Sequence, residues 1–250
     1  SINSRPMQAV TRCLSPACSH LPMTDACGYF ITGTDTGVGK TTVTLGLMLA
    51  LQQQGHRVAA MKPVAAGCEE TPAGLRNEDA LRLQQASSVV LDYDLVNPCA
   101  FAPPIAPHIG ASTAGETIDI DNLINKYKEI SRQAECVLVE GAGGWLVPLN
   151  AQQTLADLAR ALGLKVILVV GLRLGCLNHA LLTAESIQAH GCGLAGWVAN
   201  RLPGEMAAVN SNIEALKARL ACPYLGCVPL LDRSHATAVA AHLSVSVLNT

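Results

Sequence analysis

Five short apolar runs recur along the chain with little polar alternation: residues 29–32, 58–62, 136–140, 166–170 and 194–200. A strand exposed on one face alternates apolar with polar residues, whereas a strand covered on both faces does not. Between these runs lie stretches of helical character at 42–54, 79–87, 119–133, 154–162, 179–190 and 205–220. Such alternation predicts an α/β fold, a doubly wound, mostly parallel sheet with helices on both faces. Right-handed crossovers then set the C-terminal ends of the strands along one rim, where ligands of such folds bind. Residues 97–111 carry Pro98, Pro103, Pro104 and Pro107 and predict a rigid, extended connection. Residues 1–27 show neither pattern and read as an irregular, disordered leader, leaving 28–250 as a single domain. No internal repeat is present.

One segment at that rim is more informative than the rest. The first apolar run leads into Gly33-Thr34-Asp35-Thr36-Gly37-Val38-Gly39-Lys40-Thr41, and an Ala/Leu-rich helical stretch follows. Strand, glycine-rich turn, Lys-Thr and helix is the context of a phosphate-binding loop. Backbone N–H groups of the turn converge on an anion, and the helix N-terminus adds its positive dipole. Lys40 would reach the outer phosphates, and the Thr41 hydroxyl would take a position on Mg²⁺. The usual spacing would place the first glycine at position 34, whereas Gly33 lies one residue earlier. A plain glycine turn without a ligand leaves Lys-Thr-Thr without a purpose.

Other polar residues close the remaining strands at the same rim. Lys62, followed by Pro63, ends a buried run; it is either a second cation near the phosphates or a strand-end lysine reaching solvent. Glu140 ends Val-Leu-Val-Glu before Gly141-Ala142-Gly143-Gly144, and an acid at that place beside a phosphate loop belongs to Mg²⁺. Asp79 opens a helix, where it is either a third metal position or an ordinary first-turn acid. Asn200 ends its strand, where an amide can read adenine or simply make a turn.

Composition narrows the function further. Apolar residues are 50% of the 250, enough for a sizeable core, while charged residues are only 14%. A surface so poor in charge predicts a partly covered one, hence a homodimer. Net charge is −2 without a long basic run, which argues against nucleic acid as a partner. No apolar run reaches the ~18–20 residues needed to cross a bilayer. The ten cysteines lack any C-x-x-C spacing and predict buried thiols of a cytoplasmic protein rather than disulfides or a zinc site.

Taken together these motifs resemble the dethiobiotin synthases, from about residue 29 to about 231. The resemblance is carried by the phosphate loop with its extra residue, Lys62-Pro63-Val64, Leu75-Arg76-Asn77-Glu78-Asp79-Ala80 and Pro107-His108. It continues through Val139-Glu140-Gly141-Ala142-Gly143-Gly144-Trp145, the segment from Gly175 to Thr183, and Gly196-Trp197-Val198-Ala199-Asn200. It implies a P-loop NTPase-like domain that closes the ureido ring of dethiobiotin from 7,8-diaminononanoate, CO₂ and ATP. The path runs through a carbamate and a carbamic–phosphoric anhydride. By resemblance, Lys62 and Lys40 are catalytic, and Thr41, Asp79 and Glu140 hold Mg²⁺. Thr36, Gly37, Val38, Gly39, Lys40, Thr41 and Thr42 form the triphosphate cradle, with Gly141, Ala142 and Gly143 beside it. Asn200, Arg201, Pro229, Leu230 and Leu231 form the adenine pocket. Thr36, Lys62 and Ala66 face the substrate amines, and Gly175, Cys176 and Asn178 help to hold its carboxylate across a dimer interface. Ala66 stands where the family often has Ser, and Gly37 where some members have Glu.

Two other readings compete. The cobyrinic acid amide synthases share such a nucleotide domain but add a glutamine-hydrolysing domain with no counterpart in these 250 residues. Partition and septum-placement ATPases are nucleotide switches of another class. They usually carry an additional lysine early in the loop, and residues 34–38 contain none.

Overall fold

The computed structural model describes residues 27–231 and 235–248. In chain order its elements are β1 (Cys27–Gly33), α1 (Lys40–Gln53), β2 (Val58–Met61), β3 (Val64–Ala66), β4 (Glu69–Thr71), β5 (Gly74–Arg76), α2 (Glu78–Ala86), α3 (Tyr93–Val96), β6 (Cys99–Phe101) and α4 (Pro107–Thr113). They continue with α5 (Ile120–Ser131), β7 (Cys136–Glu140), α6 (Leu155–Ala161), β8 (Lys165–Leu172), α7 (Cys176–Ala189), β9 (Leu194–Arg201), α8 (Val209–Lys217), β10 (Tyr224–Val228) and α9 (Ala236–Ala240).

Six strands form one sheet in the order β10-β9-β8-β1-β7-β2, and every pairing is parallel. The unbroken apolar runs are its five strands from β9 across to β2, buried on both faces as their composition requires. Tyr29 and Ile31 look toward α1 and α9, whereas Phe30, Val137 and Val139 look toward α5 and α6. Leu168, Val170 and Trp197 continue that second face beneath α7 and α8. The two layers therefore enclose the sheet, and β1 lies at its centre beside β8.

Helix ends follow local chemistry. Asn77 caps α2 by accepting from the Ala80 N–H at 3.1 Å, and the Asp157 carboxylate reaches back to the Thr154 N–H at 2.8 Å before α6. Buried Leu123, Tyr127 and Ile130 return at helical spacing along α5.

Several sequence expectations are corrected. Cys27, assigned to the leader, is the first residue of β1, because its backbone continues the ladder with β7; residues 1–26 lie outside the described residues. The proline-rich connection is not extended throughout. It contains β6 and then α4, where Pro107 starts the helix with the fixed φ that a first turn accepts. α7 starts at Cys176 rather than at 179, and α8 at Val209 rather than at 205. β10 and the small hairpin β4–β5 were not legible as strands. Of the described cysteines none is in a disulfide; Cys68, Cys136, Cys176 and Cys192 are buried, and the other four are half-buried. Cys13 and Cys18 lie outside the described residues.

Candidate active site

The loop after β1 is fastened to its neighbours before any ligand is considered. The Thr34 N–H donates to the Val169 carbonyl of β8 at 3.0 Å. Val38 is fully buried against Gly171 of β8, where an added Cβ would sit 2.8 Å from its methyl group. Gly39 has φ +84° and enters α1 directly, so the helix begins at Lys40, two residues earlier than its apolar pattern indicated. A Cβ on Gly39 would lie 2.1 Å from the Asn200 side-chain nitrogen, which donates to the Val38 carbonyl at 2.9 Å. The C-terminal ends of β1 and β8 thus clamp the loop, at the point where their crossovers leave for opposite faces of the sheet.

Four charged groups meet over this loop. Lys40 Nζ donates to the Asp35 carbonyl at 3.1 Å, folding back across the loop. Lys62 Nζ donates to Glu140 Oε1 at 2.7 Å and stands 3.5 Å from Asp79 Oδ2. The Thr41 hydroxyl donates to the same Glu140 Oε1 at 2.7 Å. Glu140 is fully buried, and its second oxygen, Oε2, has no hydrogen-bond partner among the described residues. Because Asn77 takes the capping position of α2, the Asp79 carboxylate is released from that duty and turns to Lys62.

Burial sets the charges in opposition. It pushes the Lys40 ammonium down to about 8, against the pull of Glu140 and with the repulsion of Lys62. It acts on Lys62 in the same direction, but Glu140 and Asp79 outweigh it and hold that ammonium above its ordinary value. Asp35 is held below its ordinary range by the Thr36 N–H and then by Arg173, with which it forms an ion pair.

These groups open into one cleft of about 740 Å³, a size suited to a small-molecule site. Thr36, Gly37, Gly39, Lys40, Thr41 and Thr42 form its floor. Lys62, Ala66, Asp79, Glu140, Ala142 and Gly143 line its sides. Ala65, Pro104, Ile105, Ala106 and Pro107 add an apolar wall to the cleft. The structure therefore brings together every expected metal position and both lysines.

The remaining expected residues stand apart from that cleft. Val38 lies beneath the loop, and Gly141 packs against the Phe30 ring. Asn200 is buried under the loop with one amide hydrogen donated to it, so it supports the loop. Arg201 is exposed at the end of β9, and Pro229, Leu230 and Leu231 follow the neighbouring β10, with Leu230 exposed. In the Gly175–Asn178 segment, the Cys176 side chain is buried among Leu172 and Ala180, and its N–H donates to the Arg173 carbonyl. The Cys176 side chain thus belongs to the core, while Gly175 and Asn178 are exposed at the start of α7. A second cleft of about 480 Å³ lies at the opposite ends of the strands, beside Gly28, Tyr127 and Lys165, remote from this chemistry.

Sequence reasoning missed three residues. Arg82, one turn beyond Asp79 on α2, lines the cleft and makes no ion pair among the described residues. Asn97 donates its amide to the Lys62 carbonyl at 2.8 Å, and the Lys62 N–H donates to the Val96 carbonyl at 2.7 Å. The Tyr93 hydroxyl donates to Asn97 Oδ1 at 3.0 Å and accepts from the Asn77 N–H at 2.8 Å. It thereby ties the backbone that presents Lys62 to the helix that presents Asp79. The Arg82 signal was available as a cation three residues after Asp79 on one helix face.

A phosphate loop at the central strand of a parallel sheet, with Lys40, Thr41 and an acid from the adjacent strand, defines a P-loop NTPase-like domain. Residues 27–238 match the family described as an AAA domain. A chain of the MinC:MinD cell division protein complex of Aquifex aeolicus superposes with a TM-score of 0.55 over 86% of each chain at 19% identity. A ParA family ATPase from Chlorobium tepidum gives a TM-score of 0.52 over 89% of this chain and 91% of that one, at 14% identity. At such identities the likeness is one of fold alone. Sequence relatives are far more similar. The ATP-dependent dethiobiotin synthetase BioD of Pseudomonas aeruginosa is 51% identical over 221 residues, covering 88% of this chain and 97% of that protein. Its counterpart in Cellvibrio japonicus is 50% identical, with coverages of 88% and 96%. The chain belongs to the ATP-dependent dethiobiotin synthetase family.

Proposed function

We propose that the chain is an ATP- and Mg²⁺-dependent cyclo-ligase that makes dethiobiotin from 7,8-diaminononanoate and CO₂, in the cytoplasm and as a homodimer. The observation that carries this reading is the meeting of Lys62, Lys40, Thr41, Asp79 and Glu140 around one cleft, in a chain about half identical to named dethiobiotin synthetases.

One substrate amine attacks CO₂ and, on losing a proton, becomes a carbamate. A carbamate oxygen attacks the γ-phosphorus of ATP, and ADP leaves. The second amine then attacks the carbamoyl carbon, closes the ureido ring and expels phosphate. Negative charge accumulates at one place throughout, so fixed cations supply most of the stabilisation. Lys40 reaches across the loop toward the outer phosphates, and the loop amides cradle them. Lys62, reaching the cleft from the end of β2, steadies the carbamate and the transferred phosphoryl group. The apolar wall of Pro104, Ile105 and Pro107 excludes water from the anhydride.

The residues present suit Mg²⁺. The orphaned Glu140 Oε2, the Thr41 hydroxyl and Asp79 are hard oxygen donors, and this ion takes one or two carboxylates together with phosphate oxygens and water. Among the described residues no three His, Cys, Asp or Glu cluster as an all-protein metal cage, in keeping with an ion that arrives with a nucleotide. When bound, Mg²⁺ neutralises charge on the phosphates. The exposed start of α7, with Gly175 and Asn178, is offered to the substrate carboxylate of a second copy, and the exposed Leu174 and Leu182 extend that surface. Asn200 with residues 229–231 takes the adenine.

The test is ADP and dethiobiotin formation by purified protein, with and without the diamine and bicarbonate. Release of ADP that is no faster with both present defeats the proposal. Lys62→Ala lowers kcat/KM by about 10²-fold or more; a loss of only about threefold removes Lys62 from its role.

A further inference from the structure

Lys62 is tied up in a way that catalysis alone does not require. Its ammonium, almost fully buried, sits 2.7 Å from Glu140 Oε1 and 3.5 Å from Asp79 Oδ2. These are the two carboxylates assigned to the divalent ion. Thr41, the third assigned donor, points its hydroxyl hydrogen at the same Glu140 oxygen. Glu140 cannot remain unpaired here: it has no exposure at all, and an uncompensated buried carboxylate is strongly destabilising, whereas Asp79 is partly exposed and adds to the pair. Without a nucleotide, the positive charge that satisfies them is the lysine.

We infer that Lys62 is also a positioning residue, a built-in cation that holds Glu140 and Asp79 in place and hands them over when a divalent ion enters with the nucleotide. The exchange is one of partners, with no bond made or broken. Lys62 loses its carboxylates at the moment when phosphate and carbamate oxygens become available to it. The same event that completes the metal site therefore releases the catalytic ammonium. The long, flexible stem of a lysine permits this swing, while Asn97 and Val96 fix only its backbone. Thr41 must likewise rotate its hydroxyl away from Glu140 to present a lone pair.

This inference rests on the metal assignment above, and the experiment separates the two. Mn²⁺ binding is followed by its electron paramagnetic resonance signal, and thermal stability is measured with and without Mg²⁺, both on the full chain without nucleotide. In the unaltered protein Mg²⁺ alone leaves Tm unchanged and Mn²⁺ binds weakly, because Lys62 occupies the acids. Lys62→Met lowers Tm by about 10 °C, Mg²⁺ restores most of that loss, and Mn²⁺ binds about tenfold more tightly or better. Lys62→Met/Glu140→Gln folds without Mg²⁺ and does not respond to it. Should Lys62→Met fold only when Mg²⁺ is present, the inference stands. If it remains unfolded with Mg²⁺ while the double variant folds, or if Mg²⁺ stabilises the unaltered protein as much as Lys62→Met, the inference falls. Mn²⁺ binding by the unaltered protein with a non-hydrolysable ATP analogue tests the metal assignment by itself. Its loss there defeats that assignment, whereas its presence with no gain in Lys62→Met defeats only the exchange.

Discussion

The side-chain amide of Asn97 donates to the main-chain carbonyl of Lys62 at 2.8 Å, and both residues are buried. Asn97 is in turn held by the Tyr93 hydroxyl, so the site's central lysine is aimed by residues that never reach the cleft. Asn97→Ala leaves the Lys62 carbonyl and the Tyr93 hydroxyl without these partners. The expected destabilisation is about 1–3 kcal/mol by chemical denaturation, and kcat falls while the KM for ATP changes little. An equal rise in both KM values would show instead that the whole cleft had collapsed.

Gly39 gives a sharper prediction, since it fails on two counts. A Cβ there meets the Asn200 amide, and φ +84° strains any L side chain. Gly39→Ala is expected to abolish nucleotide binding, measured by isothermal titration. Gly39→Ala/Asn200→Ala recovers part of it, because the collision goes, leaving backbone strain of about 1–2 kcal/mol together with the loss of the Asn200 contacts. Full binding by the single variant would contradict the close fit of the loop against β9.

The depressed ammonium of Lys40 predicts a pH dependence whose sign follows from burial. Its folded value is about 8 against an ordinary 10.5, so between these values the unfolded chain binds more protons. The contribution of Lys40 to stability accordingly rises with pH from about 8 to 10.5. Affinity for a triphosphate moves the other way, because phosphate binding needs the charged form. Binding of a non-hydrolysable analogue should weaken above about pH 8, with proton uptake visible as a dependence of the binding heat on the buffer. Lys40→Arg, always charged, flattens that dependence even if its affinity is lower.

Arg82 carries a positive charge into the cleft with no carboxylate partner among the described residues. An anion supplied by the reaction is its natural counterpart. Arg82→Ala is expected to lower kcat/KM about tenfold, and Arg82→Lys to recover part of the loss. Steady-state kinetics with ATP and diamine varied separately would assign the contact, and unchanged constants for both would exclude Arg82 from the site.

The residues legible in the sequence were those whose role is set by position along a single strand or turn. Glu140 and Lys62 stood out because a charge at the end of an unbroken apolar run has few other uses, and Lys40 and Thr41 because the loop announces them. Asp79 could not be separated from an ordinary first-turn acid until Asn77 was seen to occupy the cap. Asn97 fell in the proline-rich connection, and its contact with Lys62 spans 35 positions of the chain, a relationship that no local pattern encodes. The start of α7 was misplaced for a local reason, since it depends on the left-handed Gly175. β10 is a short edge strand whose apolar run is interrupted by Gly226, with only Leu225 and Val228 buried.

The order of the strands has a consequence for how this protein is made. β1 and β2 leave the ribosome early, yet they are not neighbours: the slot between them is filled by β7. Thr41 and Glu140, which share a hydrogen bond, are 99 positions apart. A nascent chain can therefore display its glycine loop long before it can grip a nucleotide, and the open slot exposes strand edges until β7 is synthesised. Competence to bind arises later still, once β8 and β9 have also arrived to hold the loop through Val169 and Asn200.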